Sequence, residues 1–286
     1  MDGQSSLLSN ANLVYLKYCT SDGWIGASDA PFSDFSFQLQ GRAYVDAAFK
    51  TLASDFGFGS AADTQLLFSG CSAGARGALF NTYRVAKLAR SLAGSNLSKF
   101  GAMYDSAFWI DMEPLVPAAT SFKTQVQDAF ALFNVSGPGV LDPVCMATYS
   151  DAPWKCMFGQ YAVATVAEDF MLHSFQYDLF QLSEDEHISG PPKTPSQLAY
   201  AEQFRNNTRV MANTDVIFPA KPRTAALLPA CFKHCNTGSS TFSTLKTDGV
   251  SLEDMTVAWF TGSGATPNFV LENCTGLNCG NDCPSV

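Results

Sequence analysis

The sequence predicts an α/β fold, a mostly parallel central sheet with helices on both faces, built as one domain. Three observations carry this. Residues 13–105 alternate apolar strand-like runs with helical patterns, and strands separated by helices need crossovers, which give parallel pairing. The 286-residue chain has no polar linker to divide it, and 47% of its residues are hydrophobic, ample for one large core. A Gly-x-Ser-x-Gly stretch, with Gly70, Ser72 and Gly74 in the diagnostic places, lies where an apolar run gives way to a long amphipathic pattern.

Taken in order, residues 13–18 (LVYLKY) read as a strand, followed by a Ser/Asp/Gly-rich loop to residue 35. Residues 37–56 read as a helix, with Tyr44, Ala48 and Leu52 at helical spacing. Residues 64–68 (TQLLF) look like a buried strand, residues 75–91 like an amphipathic helix, and residues 100–104 (FGAMY) like another strand. Residues 106–160 are broken by Pro114, Pro117, Pro138, Pro143 and Pro153 and read as a cap-like insertion with a helix at 120–133. Residues 160–175 are mixed, and pattern alone does not separate helix from strand there. Residues 196–212 read as a polar helix introduced by Pro195. Residues 251–260 read as a short helix capped by Ser251, with Asp254 completing a box-like pattern.

The net charge of −9 argues against nucleic acid or an anionic membrane surface as partner. Nine cysteines point to an oxidising compartment, and the last three, Cys274, Cys279 and Cys283, sit in a Gly/Asn-rich tail that needs stapling. Cys145 is expected to pair with Cys156, and the tail cysteines to join disulfides. Cys231 and Cys235, with His234 between them, have no second pair at a zinc-like spacing, so no metal is predicted. The odd count leaves a free thiol, and Cys71 is the first candidate. Four Asn-x-Ser/Thr sites, at Asn96, Asn134, Asn206 and Asn273, fit a secreted glycoprotein. The polar residues 1–11 do not read as a signal peptide.

A serine at a tight strand-to-helix turn is pushed out of the backbone path, and the next amide, that of Ala73, is placed to donate to an oxyanion. Such a serine needs an imidazole to take its proton and a carboxylate to orient that imidazole. The three histidines, His173, His187 and His234, all follow Ser72, so chain order excludes none. His173 sits in an apolar stretch and reads as a core residue. His187 sits in a charged loop and reads as solvated. His234 lies between cysteines that could fix a catalytic loop. For the acid, Asp105 and Asp178 compete, and the later position of Asp178 favours it slightly.

Four stretches in this order, residues 18–26 (YCTSDGWIG), 69–74 (SGCSAG), 105–111 (DSAFWID) and 229–234 (PACFKH), resemble the pectin acetylesterase/Notum family. These are secreted, α/β-hydrolase-like carboxylesterases. Plant members remove acetyl groups from pectin, and animal members remove a fatty acyl group from Wnt proteins. The resemblance implies Ser72 as nucleophile, Asp178 as triad acid and His234 as base, with Asp105 in the pocket or just behind it. Trp24, Phe108 and Trp109 are candidate pocket aromatics. The family carries a Gly-Gly-x-Trp-type stretch ahead of the Tyr-Cys motif that supplies oxyanion donors. The chain starts too late to hold it, and Gly23-Trp24 belongs to the Tyr-Cys motif itself. An N-terminally shortened domain without its first strands is therefore expected, with Cys19 as an orphaned thiol and turnover depressed.

The expected function is a secreted serine ester hydrolase needing no cofactor and acting as a monomer. Its expected substrate is an O-acetylated cell-wall polysaccharide. A lipid-modified protein substrate is the alternative within the same chemistry. A non-catalytic binding homologue and a protease are the alternatives outside it.

Overall fold

Apolar runs flanked by helices pair edge to edge because each strand, covered on both faces, satisfies its backbone groups only through its neighbours. In the computed structural model, which describes residues 10–29, 38–117, 119–217, 223–263 and 266–286, this gives the following order. Helix α1 (Gly41–Asp55) leads to β1 (Thr64–Cys71), α2 (Ala73–Ala93) and β2 (Leu97–Asp105). Then come α3 (Phe122–Leu132), α4 (Pro143–Thr148), α5 (Gly159–Thr165), β3 (Phe170–His173), β4 (Tyr177–Asp178), α6 (Leu179–Glu186) and α7 (Pro195–Ala212). The last third holds β5 (Thr224–Leu228), β6 (Phe232–Lys233), α8 (Thr241–Thr244), β7 (Lys246–Thr247), β8 (Val250–Ser251), α9 (Leu252–Thr261) and β9 (Phe269–Leu271).

The central sheet has five strands in the order β1-β2-β3-β5-β9, every neighbouring pair parallel. Alternation along the strands sorts its two faces. Phe100, Ala102, Tyr104, Phe170, Leu172, Ala226 and Leu228 face the larger core with α2, α5 and α7. Met103, Met171, Ala225, Leu227 and Val270 face the other way, against Met255, Trp259 and Phe260 of α9. The packing at Gly101 is tight on that side, since a Cβ there would meet Trp259 at 2.9 Å.

Residues 13–18 are not a strand. They lie beside no partner strand among the described residues, and Leu13, Val14 and Tyr15 are exposed. Strand propensity without a ladder to join does not make a strand. The stripe of α1 is also rotated one residue from expectation. The helix buries Gly41, Val45 and Phe49, and leaves Tyr44 exposed. Its expected first residues, 37 included, lie partly outside the described residues. The ambiguous segment 160–175 resolves into α5 followed by β3. Helix α7 begins with a capping box between Thr194 and Gln197, and α9 with one between Ser251 and Asp254, so local side chains fix both starts.

Eight cysteines form four disulfides: Cys71–Cys235, Cys145–Cys156, Cys231–Cys283 and Cys274–Cys279. The Cys145–Cys156 bridge and the stapled tail match expectation. Cys71 does not: it is bonded, because β1 and the loop after β6 meet at the same sheet edge. The free thiol among the described residues is the exposed Cys19. No helix of the described residues is long and apolar enough to cross a membrane.

The end of α6 carries a testable liability. Asp185 and Glu186 are both buried, and neither carboxylate oxygen of Glu186 has a hydrogen-bond partner among the described residues. Burial, with Asp185 adding repulsion, pushes the Glu186 carboxyl up from 4.5 to about 7. A raised carboxyl is protonated in the folded state, so its stabilising contribution is present below pH 4.5 and lost as pH rises through about 7. Glu186→Gln mimics the protonated form. It should raise the thermal midpoint at about pH 8 by an amount equivalent to roughly 1–3 kcal/mol, and leave it near wild type at about pH 4. A pH series of melts on both proteins checks this, and an equal shift at both pH values would refute it.

Candidate active site

Ser72, Asp105, Asp178 and His234 gather at one edge of the sheet. Cys71, Asp105, His173 and Leu227 pair in a single line of register across β1, β2, β3 and β5, at or next to the carboxyl ends of these strands. Residues that follow this line emerge over the same edge, the place where open parallel sheets bind ligands.

Ser72 is the residue between β1 and α2. Its backbone has φ 55° and ψ −122°, a conformation costing on the order of 1–3 kcal/mol for a residue with a Cβ. The turn is held by Ser72 N–H, which donates to the Asp105 carbonyl at 2.9 Å, and by Arg76 N–H, which donates to the Ser72 carbonyl at 2.9 Å. Gly70 is required here, since a Cβ would collide with the Gly74 backbone. The sharp turn starts α2 at Ala73, whose N–H is among the first amides of a 21-residue helix and so has no partner within the helix. An oxyanion above it would also meet the positive end of the helix dipole.

Asp178 and His234 are 56 residues apart in sequence but adjacent in space. The short strands β4 and β6 pair in parallel with Asp178 opposite Lys233, which brings the next residue, His234, onto the carboxylate. Asp178 Oδ2 and His234 Nδ1 are 2.8 Å apart, while Asp178 Oδ1 accepts the Gln181 N–H at 3.0 Å and so caps α6. Burial opposes charge on the ring, but the hydrogen bond and charge of Asp178 outweigh it and raise His234 above its ordinary 6.5. The other ring nitrogen, Nε2, is buried and has no hydrogen-bond partner among the described residues. The imidazole is thus oriented at one nitrogen and unengaged at the other.

The Cys71–Cys235 bridge ties the residue before Ser72 to the residue after His234, with their Cα atoms 5.7 Å apart. The serine and histidine therefore flank one covalent link. Ser72 and His234 share no hydrogen bond in this state, which is common for a catalytic pair before substrate arrives.

Asp105 sits beneath this arrangement rather than in a pocket. It is fully buried, and its Oδ1 meets His173 Nδ1 at 2.8 Å. Its Oδ2 accepts the backbone amides of Asn236 and Thr237 at 2.7 Å each and the Thr237 hydroxyl at 2.8 Å. Burial works against its charge, but the His173 ring and the two amides prevail and hold its carboxyl far below the usual range. Ser106 Oγ also accepts the Cys235 N–H at 3.0 Å. Asp105 and Ser106 thus anchor the loop that carries His234. His173 is a core residue, as its apolar surroundings suggest, and His187 is exposed at the left-handed end of α6.

A cavity of about 170 Å³ opens beside Ala73. Trp109 lines it together with Arg76, Tyr18 and the α3 residues Val126 and Ala129, so the segment 106–160 forms part of its wall. The other two aromatics proposed for a pocket face elsewhere. Phe108 is buried in the main core. Trp24 stacks on Tyr18 with ring centroids 4.1 Å apart and backs onto Gly77 of α2, where a Cβ would come within 2.6 Å of its ring. Sequence reading assigned neither Arg76 nor Tyr18 to the pocket. The signal for Arg76 was available: a cation in the first turn of a helix opposes the helix dipole. Cys231 and Cys235 enter two different disulfides.

The family model for pectinacetylesterases matches residues 4–266. Among curated relatives, the palmitoleoyl-protein carboxylesterase NOTUM of Drosophila melanogaster is 25% identical over 254 residues, 87% of this chain and 35% of its own. The palmitoleoyl-protein carboxylesterase notum1a of Danio rerio is 26% identical over 97% of this chain and 56% of its own. The chain thus spans between a third and a little over half the length of these relatives. The crystal structure of the Wnt deacylase Notum from Drosophila superposes with a TM-score of 0.79 at 24% identity, covering 94% of this chain and 73% of that one, a likeness of fold.

Proposed function

The chain belongs to the pectinacetylesterase family, and on that premise we propose that it is a secreted serine carboxylic ester hydrolase whose triad is Ser72, Asp178 and His234. The observation that carries this reading is the imidazole held by Asp178 at 2.8 Å with its far nitrogen unengaged, linked through Cys71–Cys235 to a serine at a strained turn. In the reaction, Ser72 Oγ attacks the acyl carbonyl while His234 Nε2 takes its proton. The Ala73 amide stabilises the oxyanion that develops. The alcohol leaves with the proton from His234, and an acyl-serine remains. Water then attacks with His234 again as base, the acid is released and Ser72 is restored.

Two substrate classes fit this chemistry. The family description favours an O-acetylated polysaccharide, and the names of the curated relatives favour a lipid-acylated protein. We take the polysaccharide as the first reading, because the cavity beside Ala73 holds an arginine that a long alkyl chain would strip of solvent without replacing it. The four disulfides support an oxidising, extracellular setting.

The test is hydrolysis of p-nitrophenyl acetate across pH, alongside an acetylated oligosaccharide and a long-chain acyl ester. The base must be neutral to accept a proton, so kcat/KM should rise with pH through a limb whose midpoint lies above 6.5, the ordinary value from which Asp178 raises His234. A profile flat from about pH 5 to about pH 8 would remove His234 from the base role. Preference for the long-chain ester would favour the protein-deacylase reading.

A further inference from the structure

Arg76 is a half-buried cation that the proposed chemistry leaves unused. It lies one helical turn after Ser72, on the same side of α2, and lines the cavity that Ala73 borders. Among the described residues no carboxylate lies within ion-pair distance of its guanidinium, and its Nε is buried without a hydrogen-bond partner. Its guanidinium lies over the Trp109 ring, 3.9 Å from the guanidinium carbon to the ring centroid. Burial pulls the guanidinium down to about 10, which still leaves it charged at neutral pH. Among the described residues the acidic side chain in the cavity wall is Asp22, which is already engaged: its carboxylate accepts the Thr20 hydroxyl and the amides of Trp24 and Gly41.

Three costs therefore fall on one residue. A charge is partly desolvated, no counter-charge meets it among the described residues, and it stands in the first turn of a helix whose dipole repels it. Stacking on Trp109 offsets a part of this. A carboxylate in the cavity would remove all three at once, since it pairs with the guanidinium fork and is favoured by the helix N-terminus. We propose that Arg76 is a substrate-binding residue that selects esters carrying a carboxylate close to the scissile bond.

This rests on the ester-hydrolase reading and adds a charge requirement to it. The carboxylate could belong to the alcohol part, as in an acetylated uronic-acid oligomer, or to the acyl part, as in a hemiester of a dicarboxylic acid. Two substrate pairs separate these sources. Acetylated trigalacturonate against acetylated galactotriose varies the charge on the alcohol side. p-Nitrophenyl hemisuccinate against p-nitrophenyl butyrate varies it on the acyl side.

The expected result is a preference for the charged member of one pair by about 10–100-fold in kcat/KM, expressed mainly in KM. Arg76→Gln should cut that ratio at least about tenfold, and Arg76→Lys, which keeps the charge but not the fork, should restore part of it. A purely structural role for Arg76 would weaken both members of a pair alike and leave the ratio intact, which would overturn the proposal. So would the absence of charge preference in both pairs. Should Arg76→Gln fail to fold, inhibition of the wild-type enzyme decides: galacturonate or succinate should compete with a neutral ester, and galactose or butyramide should not. Should the wild type hydrolyse no ester at all, calorimetric titration with trigalacturonate and succinate still reads the site. Heat of binding that Arg76→Lys weakens sustains the anion site while the hydrolase reading falls. No binding ends both.

Discussion

Ser72→Ala is expected to reduce kcat on p-nitrophenyl acetate by roughly 10⁶-fold, to the level that oxyanion stabilisation and binding alone provide. The serine oxygen is the atom that bonds to the acyl carbon, so no neighbouring group substitutes for it. The fold should survive, because the backbone bonds that hold the turn, Ser72 N–H to the Asp105 carbonyl and Arg76 N–H to the Ser72 carbonyl, involve no side-chain atom of Ser72. Alanine keeps the Cβ and with it the strain of φ 55°. Ser72→Gly should relieve that strain, so it should be equally inactive yet melt higher than Ser72→Ala, by an amount equivalent to about 1 kcal/mol. Burst kinetics with the wild type would detect the acyl-serine directly. Hydrolysis by Ser72→Ala within about tenfold of wild type would move the nucleophile elsewhere.

Asp178→Asn should lower kcat by about 10⁴-fold. The two oxygens of Asp178 do separate work. Oδ1 caps α6 through the Gln181 N–H, and Oδ2 meets His234 Nδ1. Asparagine can keep its carbonyl at the cap, but its amide then presents a donor to Nδ1 and reverses the tautomer, so Nε2 carries the proton it should accept. The loss should therefore appear in turnover with the thermal midpoint little changed. Asp178→Ala also removes the cap and should cost about 1 kcal/mol of stability besides. If Asp105→Asn lost turnover with a normal midpoint while Asp178→Asn stayed active, the acid would be Asp105 after all. The buried network of Asp105 predicts the opposite for it, a loss of stability that grows with the loosening of the His234 loop.

Much of the candidate site was legible because it is encoded locally. The elbow at Ser72 needs only an apolar strand before it, glycines around it and a helix-forming run after it, all within residues 64–93. The Ser251 capping box and the proline start of α7 are likewise contained in a few adjacent residues. Residues 13–18 show the limit of such reading. Their pattern suits a strand, yet a strand is a relation between two segments, and the described chain offers this one no partner.

The sequence by itself therefore determined the α/β alternation, the turn at Ser72 and the cysteine-rich character of the chain, since each follows from neighbours a few positions apart. Tertiary structure decided the rest. Whether Cys71 was free or bonded depended on a partner 164 residues away. Asp178 and Asp105 were alike in sequence, two loop-edge carboxylates following short apolar runs. They part only because the pairing of β4 with β6 sets Asp178 against His234, while the register of β2 with β3 sets Asp105 beneath it against His173. Arg76 was a helix residue among many until α3 and Trp109 joined it in the wall of one cavity. Local patterns fix backbone conformation because steric and hydrogen-bonding limits act over a few residues. Which side chain meets which charge across the sheet edge is fixed by strand register and loop closure, which only the folded chain defines.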